Sequence, residues 1–149
     1  MRFAIRVDAI WKAPLLAGGA TRDNSYVELT EKGVRFRFGL LFDRTIPYTN
    51  VKTAFPRSWP FYYGIGWRTN LRGVIGLVGS YQDVVEVRLR GRTGRAWGIF
   101  PTDRICVSVE EPERVISELE ARLAAPPAHA GRGSRASSAR KRTRRREGA

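Results

Sequence analysis

Apolar side chains fall on every second residue along stretch after stretch of this chain, and that alternation restricts it to a fold built mainly of β-strands. Val34, Phe36 and Phe38 alternate with Arg35 and Arg37, and Val85, Val87 and Leu89 with Glu86, Arg88 and Arg90. A period of two sends one set toward a core and the other outward. Phe3, Ile5 and Val7 oppose Arg2, Ala4, Arg6 and Asp8 in the same way.

Turn residues separate these runs. Residues 9–24 read as a long connection, broken by Pro14, Gly18-Gly19 and Asp23-Asn24. A hairpin is predicted from Tyr26–Thr30 to Val34–Phe38, with Gly33 giving the turn its freedom. Short strands are expected at Phe42–Ile46, ended by Pro47, and at residues 51–55. Arg57–Pro60 reads as a turn, and Phe61–Trp67 as a returning strand with Phe61, Tyr63 and Trp67 on one face. After the loop Thr69–Gly73 come Val74–Val78 and Val84–Arg90. Gly91–Gly94 is predicted to turn the latter back into Arg95–Phe100, and Arg104–Val109 is the last strand.

Only one segment has clear helical spacing. Val115, Ile116, Leu119 and Leu123 form one stripe behind Pro112, which suits a first helical turn. Glu110, Glu111 and Glu113 suit its N-terminal end and Arg122 its C-terminal end. Pro126-Pro127 stops it. Residues 126–149 lack aliphatic core residues and are expected to be disordered. The division is therefore residues 1–24 as a first strand and connection, 25–125 as the domain, and 126–149 as a tail.

The chain of 149 residues carries a net charge of +13, unevenly placed. From Pro126 onward eight basic residues (Arg132, Arg135, Arg140, Lys141, Arg142, Arg144, Arg145, Arg146) face only Glu147, so the tail holds +7 and residues 1–125 hold +6. Such asymmetry points to polyanions. Three readings of Arg140–Arg146 stay open: non-specific nucleic-acid binding, attraction to anionic lipid, or a solvated tail. Lysine occurs only at 12, 32, 52 and 141. Arginine suits phosphate through its bidentate fork, but a GC-rich genome would produce the same bias.

The residues argue against most enzyme chemistry. A Ser-His-Asp or Cys-His unit needs a base beside its nucleophile, and the one histidine, His129, lies in the tail. Cys106 stands alone in the apolar run Ile105–Val107, which excludes an intramolecular disulfide and suits a buried thiol. Clustered zinc ligands are missing. Gly73, Gly76 and Gly79 precede a strand, not the helix a phosphate loop requires, and read as turn or bulge glycines. No catalytic residue, cofactor or metal is expected. No run reaches the roughly 18 apolar residues that span a membrane. Asp8 and Lys12 interrupt any signal-peptide core, so the cytoplasm is the expected location.

Two passages resemble small bacterial pleckstrin-homology-like (PH-like) proteins. One is Phe36–Phe42 followed by Thr45-Ile46-Pro47-Tyr48-Thr49-Asn50-Val51; the other is Arg104-Ile105-Cys106-Val107-Ser108-Val109-Glu110-Glu111-Pro112, a strand leading into the helix. The likeness covers about residues 25–124. It implies an antiparallel barrel or sandwich of about seven strands plugged by one C-terminal helix, acting as an interaction module without enzymatic activity. Eukaryotic members often hold phosphoinositides with a lysine and an Arg-x-Arg; Lys32 and Arg35-Phe36-Arg37 echo that arrangement. The solvated face of an amphipathic strand accounts for the same arginines without further explanation. Trp59 and Tyr62, beside Arg57, form a candidate partner surface. The expected partner is a protein or an anionic surface, the identity and the oligomeric state being unreadable.

Overall fold

The computed structural model describes residues 1–70, 72–91, 95–96 and 100–125. The basic cluster Arg140, Lys141, Arg142, Arg144, Arg145 and Arg146, His129, and the turn residues Arg92–Gly94 lie outside them.

The fold is mainly β, with two principal sheets. Strands β1 (Arg2–Ala4), β2 (Ser25–Leu29), β3 (Gly33–Phe38) and β4 (Phe42–Pro47) lie side by side in that order, all antiparallel. The second sheet holds β5 (Val51–Arg57), β6 (Gly66–Thr69), β7 (Val74–Val78), β8 (Val84–Leu89) and β11 (Arg104–Ser108), in the order β5-β8-β11-β7-β6. Two short strands, β9 (Arg95–Ala96) and β10 (Phe100–Pro101), pair with each other.

Alternation fixes which face goes inward. Val34, Phe36 and Phe38 of β3 meet Val85, Val87 and Leu89 of β8, and Ile105 and Val107 of β11, in one core between the sheets. Helix α2 (Pro112–Ala124) closes the open corner of that core. Val115 and Leu119 are fully buried, and Ile116 and Leu123 pack beside them. Arg122 donates to the Thr30 carbonyl (3.2 Å), which also accepts from the Tyr48 hydroxyl (2.7 Å). This clasp ties the C-terminal turn of the helix to the β2–β3 hairpin, where the backbone carbonyls at a helix end favour a cation.

The arrangement of elements departs from the sequence pattern in five respects. First, the sheets do not close into a barrel; residues 5 and 7 reach across by single bridges to Val109 and Gly79, and the sheets otherwise remain separate. Second, β11 runs parallel to β7, so the strands are not all antiparallel. Third, the connection over 9–24 contains helix α1 (Ala9–Ala17). Pro14 lies inside it, but a proline in so short a helix forfeits only one backbone bond, and Trp11 and Leu15 pack onto the body. Fourth, Phe61–Trp67 is not a strand: Phe61–Tyr63 is a 3-10 turn, and β6 begins only at Gly66. Fifth, β8 is not paired with Arg95–Ala96; its neighbours are β5 and β11.

The middle of the five-stranded sheet is buried on both faces, which explains the unbroken apolar run of β7. Its outer face carries a second cluster of Trp59, Ile65, Val74, Val78, Val84 and Cys106, with Trp11 and Leu15 of α1 packed against it. Gly76 is therefore a strand-interior residue rather than a turn glycine. A β-carbon there would stand 2.5 Å from the Trp59 ring, so glycine leaves the space in which the indole lies. Gly76→Ala is expected to cost about 1–3 kcal/mol, read as a lower denaturant midpoint, because the ring must be displaced. Gly79 does the same for the crossing chain at Arg6 and Val7.

Candidate interaction surface

Trp59 anchors the aromatic turn. Pro60 and Gly64 bracket the turn, and Gly64 adopts a positive φ of 74° that glycine tolerates. The Trp59 indole is buried; it donates to the Gly64 carbonyl (2.9 Å) and meets the Tyr63 ring at 5.3 Å. Backbone bonds from Tyr63 to Pro60 and from Gly64 to Phe61, both 3.1 Å, complete the base. Above it Phe61 is 78% exposed and Tyr62 71% exposed, their rings edge to face at 5.8 Å. Tyr62 also contacts Tyr63 at 4.9 Å. Hydrophobic rings seldom stand this far into water without a partner.

Of the residues singled out from sequence, Tyr62 lies on this surface and Trp59 lies beneath it. The indole does not itself form the contact surface: its N–H finds a carbonyl and its ring a bare strand at Gly76, so it is buried. Arg57 is committed elsewhere. Its guanidinium donates to Glu86 Oε2, while Arg88 Nε donates to Glu86 Oε1 at 2.8 Å. Glu86 is wholly buried, although it sits on the sheet face predicted to be solvated. The alternation identified the face correctly; the cover over that face was illegible.

Cys106 lies in the same layer, its sulfur 3.9 Å from Glu86 Oε2. Burial pushes its thiol up to about 11, against smaller opposing pulls from Arg57 and Arg104. A thiolate is the reactive form, so the group is inert near neutrality. Thiol reagents are expected to label the protein only as it unfolds. The folded state holds this proton more tightly than the unfolded chain does, so the stability it contributes is complete below pH 9.0 and is lost as pH rises through about 11. Unfolding curves across that range check the sign.

Lys32 and Arg35 line one shallow depression of about 700 Å³ with Asp43 and Arg44, and Arg37 is left outside it. Arg35 clamps Asp43 through two bonds, Nε at 2.8 Å and Nη2 at 2.6 Å, with Glu28 at 3.8 Å. These bonds hold the Asp43 carboxyl below its ordinary range and raise the Arg35 guanidinium above its own. Arg37 stands 3.9 Å from the same carboxylate. Arg2, Arg35 and Arg37 gather around the Tyr26 ring, with Arg2 nearest at 3.9 Å. An anion entering here must displace Asp43.

The sequence reading missed the apolar residues of α1 and of the β3–β4 tip, namely Ile10, Leu16, Leu40 and Leu41, all exposed. The signal available was the density of apolar residues in Ala9–Ala17, where Lys12 alone is polar. Among the described residues no group of three or more His, Cys, Asp or Glu side chains is placed to hold a metal ion. No described helix is long and apolar enough to cross a membrane. In comparison with known proteins, no family model, no curated protein and no solved structure matches this chain.

Proposed function

We propose that the chain is a non-enzymatic, PH-like interaction module that engages its partner through the turn Phe61–Tyr63. One observation carries this reading: two large rings stand in water on a turn whose base is locked by the buried, hydrogen-bonded Trp59. Side chains held rigidly before contact lose little freedom on binding, and aromatic anchors dominate contact energetics. The PH-like element of the reading is supported by the antiparallel β2–β3–β4 meander, the core shared by two sheets, and the C-terminal helix that seals it. The parallel β7–β11 pair and α1 are additions to that pattern. The partner is a protein or an anionic surface.

A second reading, non-specific nucleic-acid binding, is favoured by the +7 charge concentrated after Pro126. A pull-down with the full chain and with Phe61→Ala/Tyr62→Ala, each with and without nuclease, separates the two. The expected result is a partner that survives nuclease and disappears with the aromatic rings. Capture unchanged by the double substitution would defeat the first reading. Capture abolished by nuclease alone would favour the second.

A further inference from the structure

Helix α1 stands between two other exposed apolar features, the Leu40–Leu41 tip on one side and the Phe61–Tyr63 turn on the other. Helix α1 has eight apolar residues in nine and buries none of them fully. Ile10 is 77% exposed, and Leu16 is also exposed. On one side, the helix leads into Gly19, and the Leu40 side chain of the β3–β4 tip lies 3.2 Å from the position a Gly19 β-carbon would take. Leu40 itself is 80% exposed and Leu41 half-exposed. On the other side, Trp11 and Leu15 pack against the cluster that includes Trp59 and Ile65, which flank the turn Phe61–Tyr63. The chain just past the helix thus meets the leucine tip, and the helix itself packs onto the cluster that holds the base of the aromatic turn.

Cations are interleaved with these side chains. Lys12 is the one polar residue of α1, and the Arg68 guanidinium passes over Gly64, 3.2 Å from where its β-carbon would be. Among the described residues neither Lys12 nor Arg68 pairs with a carboxylate; nearby Asp8 is turned to Arg6 and Glu110 to Arg22. Arg22 is exposed at the end of the α1 connection. A mainly apolar cleft of about 370 Å³ lies between α1 and the body, lined by Ile5, Val7, Leu15, Leu16 and Phe38, with Lys12 and the Arg22–Glu110 pair also lining it. The helix is therefore lightly seated, and it has no side-chain cap at Asp8.

We propose that α1, the Leu40–Leu41 tip and the Phe61–Tyr63 turn form one face that enters the interfacial layer of an anionic phospholipid bilayer. This rests on the reading of the aromatic turn as a contact surface and names its partner. The shape favours lipid over protein. A face made of a helix, a loop tip and a turn needs a protein partner with a matching relief, whereas the headgroup layer moulds itself to each feature. Exposed aliphatic side chains, tyrosine rings at their margin and unpaired cations between them match the chemistry of that layer: acyl chains beneath, carbonyl groups at the boundary, phosphate above. The chain's net charge of +13 adds long-range attraction of the same sign. The site differs from the Lys32–Arg35–Arg37 surface, whose arginines are already occupied by Asp43.

The test is sedimentation of the full chain with vesicles of phosphatidylcholine alone and of phosphatidylcholine with phosphatidylglycerol in equal parts. The chain is expected to sediment with the mixed vesicles and far less with the neutral ones. Leu16→Ser/Leu40→Ser/Phe61→Ser changes only exposed positions and should lower vesicle affinity on the order of tenfold or more, with the thermal transition unmoved. Lys12→Gln/Arg68→Gln should weaken binding to the mixed vesicles only. Bromine-labelled acyl chains should quench the tryptophan emission of the unsubstituted chain, since Trp11 lies in α1; this reading needs no variant to fold. Absence of sedimentation, absence of quenching, or a triple variant that binds undiminished through its tail overturns the proposal. So does a vesicle-independent dimer that the triple substitution dissolves. A protein partner lost with Phe61→Ala/Tyr62→Ala, together with no binding to vesicles, leaves the interaction module standing and removes the bilayer as its partner.

Discussion

Leu119→Ala is expected to lower stability by about 3 kcal/mol, measured as a shift in urea midpoint with an unchanged slope. Alanine is the better helix former, so the loss cannot come from the helix itself. It comes from the cavity. Leu119 is fully buried, Val115 precedes it by one turn, and α2 lies against β5 and β8 and the 3-10 turn Tyr48–Asn50. Because the sheets do not close on each other, no strand can move in to fill the space. The Arg122 clasp holds the helix end in place, which also limits collapse. Ile116→Ala, one residue along the stripe and half-buried, should cost clearly less. Equal losses at both positions would mean that α2 is rotated from the orientation described.

Arg57→Met is expected to cost about 3 kcal/mol, because it leaves the buried Glu86 carboxylate without its principal neutralising group. Arg88 remains, bonded to the other oxygen, but its side chain is half-exposed, so water screens its charge. Arg88→Met should accordingly cost under about 1 kcal/mol. The informative variant is Arg57→Met/Glu86→Met. It removes both charges and puts apolar volume beside Cys106 and Val84, so it should recover a large part of the single-variant loss. If the double variant is no more stable than Arg57→Met, the carboxylate contributes something other than a charge in need of a partner.

The strand faces and the α2 stripe were legible from sequence because a period records direction. Val34-Arg35-Phe36-Arg37-Phe38 alternates, and the structure buries its apolar members. A period does not record what lies on top. Val85-Glu86-Val87-Arg88 reads as core and solvent by turns, yet Glu86 is wholly buried between Arg57 and Arg88, and the neighbouring Cys106 sits under a second layer contributed by Trp59, Trp11 and Leu15. That layer comes from the two segments least readable by pattern. Ala9–Ala17 is almost uniformly apolar, so it has no polar face to reveal a helix, and Pro14 argues against one. Phe61–Trp67 is rich in strand-forming aromatics, but Gly64 and Gly66 both take positive φ and divide it into a turn and a shorter strand. The candidate surface was half visible for the same reason. Composition marks aromatic rings; only packing separates Trp59, the anchor, from Tyr62, the contact.

The pairing of residues 5–7 has a consequence for how the protein is made. Arg6 hydrogen-bonds to Ser108 in both directions, the Ser108 hydroxyl reaching the Arg6 carbonyl from 102 positions away, and Val7 bridges to Gly79. A stitch of that span cannot form until nearly the whole domain has left the ribosome, and contacts so distant in sequence slow the search for the native pairing. The β2–β3–β4 meander can assemble early from neighbours. Helix α1 directly follows the late stitch, so its apolar side chains must wait unplaced until synthesis has passed β11, and a greasy surface close at hand would give that segment a refuge before the fold is complete.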